Sequence, residues 1–257
     1  MLNNNYIKNK LKDGDTVLGT WSTLPSTEAT DVICSAGLDF IIIDSEHGPI
    51  TFETAQNMAM VCDSRGVSPI MRVPSIDESD ILKALDIGMH GIQIPNIETR
   101  ENVEEIVKYA KYPPLGQRGF SPFTRSGNYS NKGEPVTEIA NENTLIGINI
   151  ESENAIENID QILMVEELDI VFIGLFDLSK SLGIPGDILN PKVQNKLEEL
   201  TTNIIDSGKY PGTIATNVES LIKYESLGIR YILYLVDSVM LKAAYELPVN
   251  ELNKLRQ

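Results

Sequence analysis

The chain alternates short apolar runs with longer segments in which apolar and polar residues recur at helical spacing. Helical patterns such as "FETAQNMAMVCDSRG" and "TRENVEEIVKYAKY" separate the runs, and several end at glycine, a common C-terminal stop. Near-continuous apolar strands that alternate with helices predict a parallel sheet covered on both faces. The eight runs are "TVLGTW" (16–21), "FIIID" (40–44), "SPIMRV" (68–73), "GIQIP" (91–95), "LIGINI" (145–150), "DIVFIG" (169–174), "YPGTIAT" (210–216) and "RYILYLV" (230–236).

Eight strand–helix units in 257 residues match the size of a (β/α)8 TIM barrel. We therefore predict an α/β protein with a single barrel domain over residues 1–257. An open doubly wound sheet is the alternative, but its nucleotide-binding patterns, GxGxxG and GxxxxGK[ST], are missing from the sequence. The segment 113–135 is rich in Gly, Pro and Ser without helical periodicity, and loops of this length are usually functional or mobile.

Composition narrows the class of partner. Hydrophobic residues make up 42% and charged residues 23% of the chain, which is typical of a globular protein. The net charge of −16 argues against nucleic acid and anionic membranes, so an anionic substrate would need a local arginine or metal.

We expect a cytoplasmic protein, because we find neither a signal-peptide core nor an apolar stretch of about 18 residues. Cys34 and Cys62 lie in apolar helical patterns and are expected to be buried rather than part of a disulfide framework.

Candidate chemistry collects after the apolar runs. In a parallel barrel the active site forms at the carboxyl ends of the strands, which we call the C-terminal rim. Polar residues are also common at strand ends simply because strands end at the surface. The convergence of an arginine, a histidine and several carboxylates favours a site. The residues that follow the runs are Trp21, Asp44, Glu46, His47, Arg72, Gln93, Pro95, Asn149, Glu151, Asp177 and Asp237.

Two carboxylates of this set, Glu151 and Asp177, form a candidate metal pair. Carboxylates on adjacent strand ends suit a hard cation such as Mg²⁺ or Mn²⁺, whereas zinc prefers histidine and cysteine. The structural alternative for Asp177 is a helix cap before "LSKSLG". The loops after the last two strands lack the Gly-rich pattern of a barrel phosphate site, which counts against a phosphorylated substrate.

The other candidates concern proton transfer and anion binding. His47 is a candidate general base, and Asp44, three residues earlier, could orient its imidazole. Arg72 lies in an apolar strand, where a buried arginine needs an anionic partner, and it could grip a carboxylate or stabilise an oxyanion. His90 precedes its strand, so we expect it at the opposite rim in a structural role.

Several motifs together resemble one known family. They are "VLGTW", "FIIIDSEHGP", "PIMRVP", "ALDIG", "YPPLGQRG", "NIES" and "GLFDLSKSLGIPG", spread from about residue 17 to residue 240. The chain thereby resembles the HpcH/HpaI aldolases, metal-dependent class II aldolases of 2-oxo acids that include 4-hydroxy-2-oxoheptanedioate and 2-dehydro-3-deoxy sugar acid aldolases. The resemblance implies a phosphoenolpyruvate/pyruvate-type barrel whose C-terminal helix is exchanged between subunits of a homohexamer, a trimer of dimers.

The resemblance also implies a reaction and roles for individual residues. Such enzymes cleave or form 4-hydroxy-2-oxo acids from pyruvate and an aldehyde through a metal-stabilised enolate, with Mg²⁺ or Mn²⁺ and with Co²⁺ as a further candidate. Glu151 and Asp177 would bind the metal, Arg72 would hold the pyruvyl oxygens, and His47 with Asp44 would be the acid/base pair. Asp86 matches a carboxylate near a subunit contact. The remaining implied substrate contacts are Trp21, Gln93, Asn149, Phe176 and Asp177, with Arg118 and Arg125 in a candidate acceptor loop.

Some positions depart from the family pattern and keep other functions open. Gly174-Leu175-Phe176 stands where the family usually has Gly-Pro before the metal aspartate, and Asn149 stands where glutamine is common. The runner-up function is a Claisen-type condensing enzyme or lyase, such as a citrate synthase-like enzyme using acetyl-CoA and oxaloacetate or a malyl-CoA-type enzyme. A third is a barrel that binds a 2-oxo acid without catalysis. No apolar run that leads to the candidate residues supplies a Schiff-base lysine.

Overall fold

The eight predicted strands form a closed parallel barrel in the computed structural model, which describes residues 5–129 and 136–256. Each strand pairs in parallel with the next, and β1 pairs with β8, so the open-sheet alternative is excluded. Their bounds agree with the apolar runs to within a residue or two. The strands are β1 Val17–Ser22, β2 Phe40–Asp44, β3 Ser68–Arg72, β4 Gly91–Ile94, β5 Leu145–Ile150, β6 Ile170–Ile173, β7 Tyr210–Ala215 and β8 Tyr231–Val236.

Helices connect the strands and surround the barrel. Several begin at a side-chain N-cap, as at Ser26 and Thr51, and α3 ends at Gly66 in a left-handed conformation. The helices are α1 Tyr6–Lys12, α2 Thr27–Ser35, α3 Phe52–Arg65, α4 Glu78–Asp86, α5 Arg100–Ala110, α6 Val136–Asn143, α7 Glu153–Glu157, α8 Ile159–Leu163, α9 Leu175–Ser181, α10 Pro191–Asp206, α11 Val218–Ser226 and α12 Asp237–Lys254.

The strands are buried on both faces, and this explains why their sequences are continuously apolar. Along β2, Phe40 and Ile42 point into the barrel, while Ile41 and Ile43 pack against the surrounding helices. The same alternation places Asp44 and Arg72 on the inner face at the ends of their strands. The apolar inner faces of β2 and β3 therefore end in charged side chains at the C-terminal rim.

Two predicted features lie outside the barrel wall. Residues 113–129 form no helix or strand, as expected for the segment 113–135, whose remaining residues lie outside the described part. Helix α12 has a single buried residue, Asp237, and it exposes Val239, Met240, Leu241, Tyr245, Leu247, Val249 and Leu252. The exchange of this helix between subunits remains a prediction.

The remaining sequence expectations concern the cysteines and membrane spans. Cys34 and Cys62 are buried, as predicted, and their free thiol sulfurs lie 3.8 Å apart between α2 and α3. No helix within residues 5–129 and 136–256 is long and apolar enough to cross a bilayer.

Candidate active site

A cavity of about 320 Å³ opens at the C-terminal rim of the barrel. Most of the side chains predicted for the site line it. The lining residues come from seven of the eight strands, all except β4, or from the loops that follow them. Its lining consists of Trp21, Thr23, Asp44, His47, Arg72, Asn149, Glu151, Phe172, Gly174, Leu175, Phe176, Asp177, Ile214 and Val236.

Arg72 is the fixed cation of this cavity. Its Cα pairs with that of Asp44 across β2 and β3, and its Nε and Nη2 donate to the two Asp44 oxygens at 2.8 and 2.5 Å. The guanidinium also lies 4.1 Å from the centroid of the Trp21 ring. Asp44 is the anionic partner that the sequence required, and the fork and the ring together fix the direction of the remaining N–H groups.

Glu151 and Asp177 line the cavity from adjacent strand ends. Both also line a neighbouring cavity of about 300 Å³, so the two carboxylates stand between the two spaces. Burial raises the pKa of Glu151, and the negative charges of Asp177 and Glu46 raise it further. A Cβ at Gly174 would lie 2.8 Å from the Glu151 Cγ, which explains a glycine at this position.

The donor set fits a hard divalent cation. Within the described ranges no cluster of three or more His, Cys, Asp or Glu side chains is poised to hold a metal by protein ligands alone. Magnesium typically needs only one or two carboxylates and takes water and substrate oxygens for the rest. Burial is the main cause of the raised pKa of Glu151, and the charges of Asp177 and Glu46 add to it, so a cation bound between the two carboxylates would favour their charged forms.

A buried hydrogen-bond chain supports Glu151 from inside the barrel. The Tyr231 hydroxyl donates to Gln93 Oε1 at 3.2 Å, Gln93 Nε2 donates to Asn149 Oδ1 at 2.7 Å, and Asn149 Nδ2 donates to Glu151 Oε1 at 2.6 Å. Asn149 lines the cavity, whereas Gln93 lies beneath it and orients Asn149. Sequence reasoning missed Tyr231, because it begins its strand and gives no local signal of a link to the rim.

The predicted contact between Asp44 and the His47 ring is wrong. Asp44 uses its carboxylate for Arg72 and for the backbone N–H groups of Glu46 and His47, at 3.0 and 3.3 Å from Oδ1. The His47 side chain is 69% exposed, and its Nε2 lies 3.9 Å from Oε2 of Glu46. The neighbouring glutamate, to which we had assigned no role, is therefore the carboxylate beside the imidazole.

Two other polar residues, Asp237 and His90, make contacts that stabilise the fold rather than line the cavity. Asp237, counted among the rim residues, accepts hydrogen bonds from Ser22, Thr23 and Leu24 and thereby ties the loop after β1 to the start of α12. His90 lies at the opposite end of the barrel, as predicted, with Nε2 3.0 Å from Asp63 Oδ1.

Arg118 and Arg125 do not join the cavity in this chain. Arg118 donates to Asp86 at 2.7 Å, and Arg125 pairs with Asp63. Both arginine side chains are buried, and neither lines the cavity. Their role in binding an acceptor, like the position of Asp86 at a subunit contact, stays a prediction.

Known proteins match this chain over nearly its full length. A hydroxypyruvate/pyruvate aldolase of Roseobacter denitrificans is 30% identical over 92% of this chain and 93% of its own. A 4-hydroxy-2-oxo-heptane-1,7-dioate aldolase of Escherichia coli is 31% identical over 94% of this chain and 92% of its own. The crystal structure of citrate synthase SbnG superposes with a TM-score of 0.88 and 29% identity over 98% of both chains.

The family model for HpcH/HpaI aldolase/citrate lyase matches residues 18–229, which include all the residues that line the cavity except Val236. The expected family resemblance is thereby confirmed over most of the barrel. The chain belongs to the HpcH/HpaI aldolase/citrate lyase family.

Proposed function

We propose that this protein is a divalent-metal-dependent aldolase that cleaves or forms 4-hydroxy-2-oxo acids from pyruvate and an aldehyde. One observation carries the proposal. Arg72, which Asp44 holds by a two-point contact, faces one cavity at the C-terminal rim together with Glu151 and Asp177, which form no ion pair with any described residue. The names of the two aldolase relatives support the same reaction class.

In the direction of synthesis, the methyl group of pyruvate loses a proton and its carbon bonds to the carbonyl carbon of the aldehyde. The aldehyde oxygen then takes up a proton. Arg72 directs the N–H groups that are not bonded to Asp44 at the pyruvyl oxygens, so it stabilises the negative charge that develops as the proton leaves. His47 serves the proton transfers as the general acid/base of the cavity.

Glu151 and Asp177 would hold the metal, with Mg²⁺ or Mn²⁺ as the first candidates and Co²⁺ as a further one. When bound, the cation supplies Lewis-acid polarisation of the keto oxygen. Asn149 donates to Glu151 Oε1 and so aims the other carboxylate oxygen toward the shared space. The mainly apolar walls, from Trp21 and Phe172 to Ile214 and Val236, enclose the reacting carbons.

The exposed apolar face of α12 supports a proposal about the assembly. An apolar cavity of about 600 Å³ lies between α2 and α12, lined by Val32, Ile33, Met240 and Leu241 among others. A contiguous apolar surface of this kind is typical of a protein–protein interface. We infer a homo-oligomer in which α12 packs against a second copy, with the hexamer of the family as the specific expectation. Light scattering of the purified protein measures the number of subunits.

The first experiment follows the exchange of pyruvate methyl protons in D₂O by NMR, with Mg²⁺ or Mn²⁺ and again with EDTA. It tests proton abstraction without knowledge of the aldehyde. Glu151→Gln should abolish the exchange, whereas Glu153→Gln removes an exposed charge on α7 and should leave it unchanged. Exchange that is insensitive to EDTA would contradict the metal dependence.

A Claisen-type function is the second candidate, favoured by the likeness to citrate synthase SbnG. There an acetyl thioester would supply the nucleophilic carbon and a 2-oxo acid would be the acceptor. If the metal binds but pyruvate protons do not exchange, acetyl-CoA with oxaloacetate is the next pair to test. Condensation of that pair would replace the aldolase proposal.

A further inference from the structure

Two free thiols face each other between helices α2 and α3. Cys34 lies on α2 and Cys62 on α3, and their sulfur atoms are in contact at 3.8 Å. Both cysteines belong to the buried cluster outside the barrel wall that includes Ile41 and Ile43, and neither lines the active-site cavity. The proposed reaction therefore does not use these two thiols.

An ion pair holds the two helices together beside the thiols. Asp31 lies one helical turn before Cys34 on α2, and Arg65 lies one turn after Cys62 on α3. Arg65 Nε and Nη2 donate to the two Asp31 oxygens at 2.6 and 2.7 Å. This two-point contact fixes α2 against α3 at the level where the sulfurs meet, so the two thiols are held opposite each other.

The two thiols differ in exposure and in acidity. Cys34 keeps 4% of its surface exposed, whereas Cys62 is completely buried. The contact with the Cys62 thiol lowers the pKa of Cys34, while the contact with Cys34 raises the pKa of Cys62 and burial raises it further. Because the thiolate is the form that attacks an oxidant, Cys34 is the thiol that reacts first, and Cys62 is in place to react second.

We propose that Cys34 and Cys62 form an oxidation site, which a hydroperoxide converts to a reversible disulfide between α2 and α3. In the first step the Cys34 sulfur bonds to one peroxide oxygen and the O–O bond breaks. The thiol proton passes to the departing oxygen, which leaves as water or an alcohol, and Cys34 becomes a sulfenic acid. In the second step the Cys62 sulfur bonds to the Cys34 sulfur and displaces the hydroxyl group, which leaves as water with the Cys62 proton. The two thiols lose two electrons in total, and one hydroperoxide is reduced.

The alternatives are that the cysteines pack as small apolar side chains or that they bind a metal. Packing alone makes no use of the contact between the two sulfurs, and it predicts that oxidation does not join them. A zinc site needs four ligands, and within residues 5–129 and 136–256 no third His, Cys, Asp or Glu completes a cluster with the two thiols. The contact between two free thiols therefore favours the disulfide.

The disulfide would close a loop around the segment that carries part of the active site. Residues 34–62 contain β2 and the residues after it, among them Asp44 and His47, which line the cavity. A cross-link restricts the unfolded chain and thereby stabilises the native state. Because the thiols lie outside the barrel wall, we expect oxidation to raise stability and to leave the rate of pyruvate exchange unchanged.

The test treats the native, reduced protein with hydrogen peroxide, alkylates the remaining thiols and identifies the products by peptide mass spectrometry. The chain has no other cysteine, so no third thiol competes. The wild type should yield a Cys34–Cys62 disulfide that dithiothreitol reverses, and its Tm should rise by about 5 °C. Cys62→Ala leaves Cys34 without a partner, so Cys34 should be oxidised to a sulfinic acid, which dithiothreitol does not reverse. In Cys34→Ala the buried Cys62 should react more slowly, on the order of tenfold, than Cys34 does in Cys62→Ala.

The wild-type result alone decides the proposal. Thiols that stay reduced in the folded protein, or a sulfinic acid at Cys34 without a disulfide, would overturn it. A disulfide that lowers Tm, or that forms only after unfolding, would overturn it as well. The double variant Cys34→Ala/Cys62→Ala is the control for oxidation of other residues, such as the seven methionines, and peroxide should not raise its Tm.

Pyruvate exchange, measured on the same samples, separates this inference from the proposed function. Equal exchange before and after disulfide formation is the expected result. Absence of exchange in the reduced and in the oxidised wild type would remove the aldolase proposal and leave the disulfide standing. Exchange in a wild type whose thiols do not join would leave the aldolase proposal standing and refute the oxidation site.

Discussion

The carboxylates at the two ends of the barrel differ in whether they have ion-pair partners. At the N-terminal end, Asp63 lies against His90 and Arg125, and Asp169 lies 3.0 Å from Lys8. At the C-terminal rim, neither Glu151 nor Asp177 has a cationic partner among the residues that the structure describes. At the rim, Asp44 and Glu46 pair with Arg72, so within the described residues Glu151 and Asp177 are the carboxylates of the cavity that the fold leaves unpaired.

The pKa values of Asp63 and Glu151 are shifted in opposite directions, in agreement with this difference. Burial raises the pKa of Asp63, but the contacts with His90 and Arg125 outweigh burial and hold it below its usual range. Burial also raises the pKa of Glu151, and there the nearby Asp177 and Glu46 add to the rise. A carboxylate without an ion-pair partner is therefore a better guide to a functional site than a charged residue as such. In the sequence, paired and unpaired carboxylates look alike.

The largest effect should come from removing a rim carboxylate. Asp177→Asn should lower metal-dependent pyruvate exchange by at least about a thousandfold, because metal-ion catalysis is worth several kcal/mol. The matched change at the other end, Asp63→Asn, should leave the rate unchanged and lower only the free energy of unfolding. Calorimetry with Mn²⁺ should show lost binding in the first variant alone. Normal turnover in Asp177→Asn would refute the metal assignment.

Arg72→Lys should produce the next largest effect. An ammonium cannot make the two-point contact with Asp44 or stack on Trp21 in the same way, so we expect a loss of about 10²–10³ in kcat/KM. Arg65 makes a comparable fork to Asp31, at 2.6 and 2.7 Å, on the outer surface. Arg65→Lys is therefore the control, and equal activities of the two variants would show that the fork at Arg72 has no catalytic role.

The strands and most of the site were predictable from sequence, because both depend on local signals. Buried parallel strands leave continuous apolar runs, and the barrel rule then brings the residues after those runs to one rim. Asp44, Arg72, Glu151 and Asp177 were located in this way. The inner or outer direction of each side chain follows from the alternation along the strand.

What was missed depends on contacts between distant segments and on side-chain directions. The Tyr231–Gln93 hydrogen bond joins residues that are 138 positions apart, and nothing near either residue in sequence indicates it. The expected contact of Asp44 with the His47 ring is absent among the described residues because Arg72, on a different strand, occupies the Asp44 carboxylate. Asp237 was counted among the rim residues because the sequence around it does not show that Ser22 and Thr23 donate hydrogen bonds to its carboxylate.

At the N-terminal end, Lys111→Met should change stability without changing the rate. Lys111 is fully buried, and its Nζ donates to the carbonyls of Asn141 and Thr144. Burial lowers the pKa of Lys111 from 10.5 to about 8. Between these values the unfolded chain binds more protons than the native one, so native stability rises with pH.

The measurement is the difference in free energy of unfolding between wild type and Lys111→Met across that pH window. The difference should shift in favour of the wild type as the pH rises from about 8, by at most about 1.4 kcal/mol per pH unit. Below about pH 8 it should be constant, because Lys111 is charged in both states. A flat difference over the whole range would mean that the buried ammonium bears no desolvation penalty.

The smallest expected effect tests whether hydrogen bonds inside the barrel influence metal binding at the C-terminal rim. Tyr231→Phe removes the hydroxyl that donates to Gln93 Oε1 and keeps the ring stacked on Phe40, with centroids 4.3 Å apart. Gln93 then loses one hydrogen bond and is held less firmly. Asn149, which accepts a hydrogen bond from Gln93 and donates one to Glu151, is held less firmly as a result. Because the lost bond is two links from the carboxylate, metal affinity should fall by only about two- to fivefold, within the net worth of one hydrogen bond. Tyr224→Phe, a buried tyrosine outside the barrel interior, is the matched control and should leave metal affinity unchanged. If both variants bind Mn²⁺ as the wild type does, the chain from Tyr231 to Glu151 packs the interior without adjusting the site.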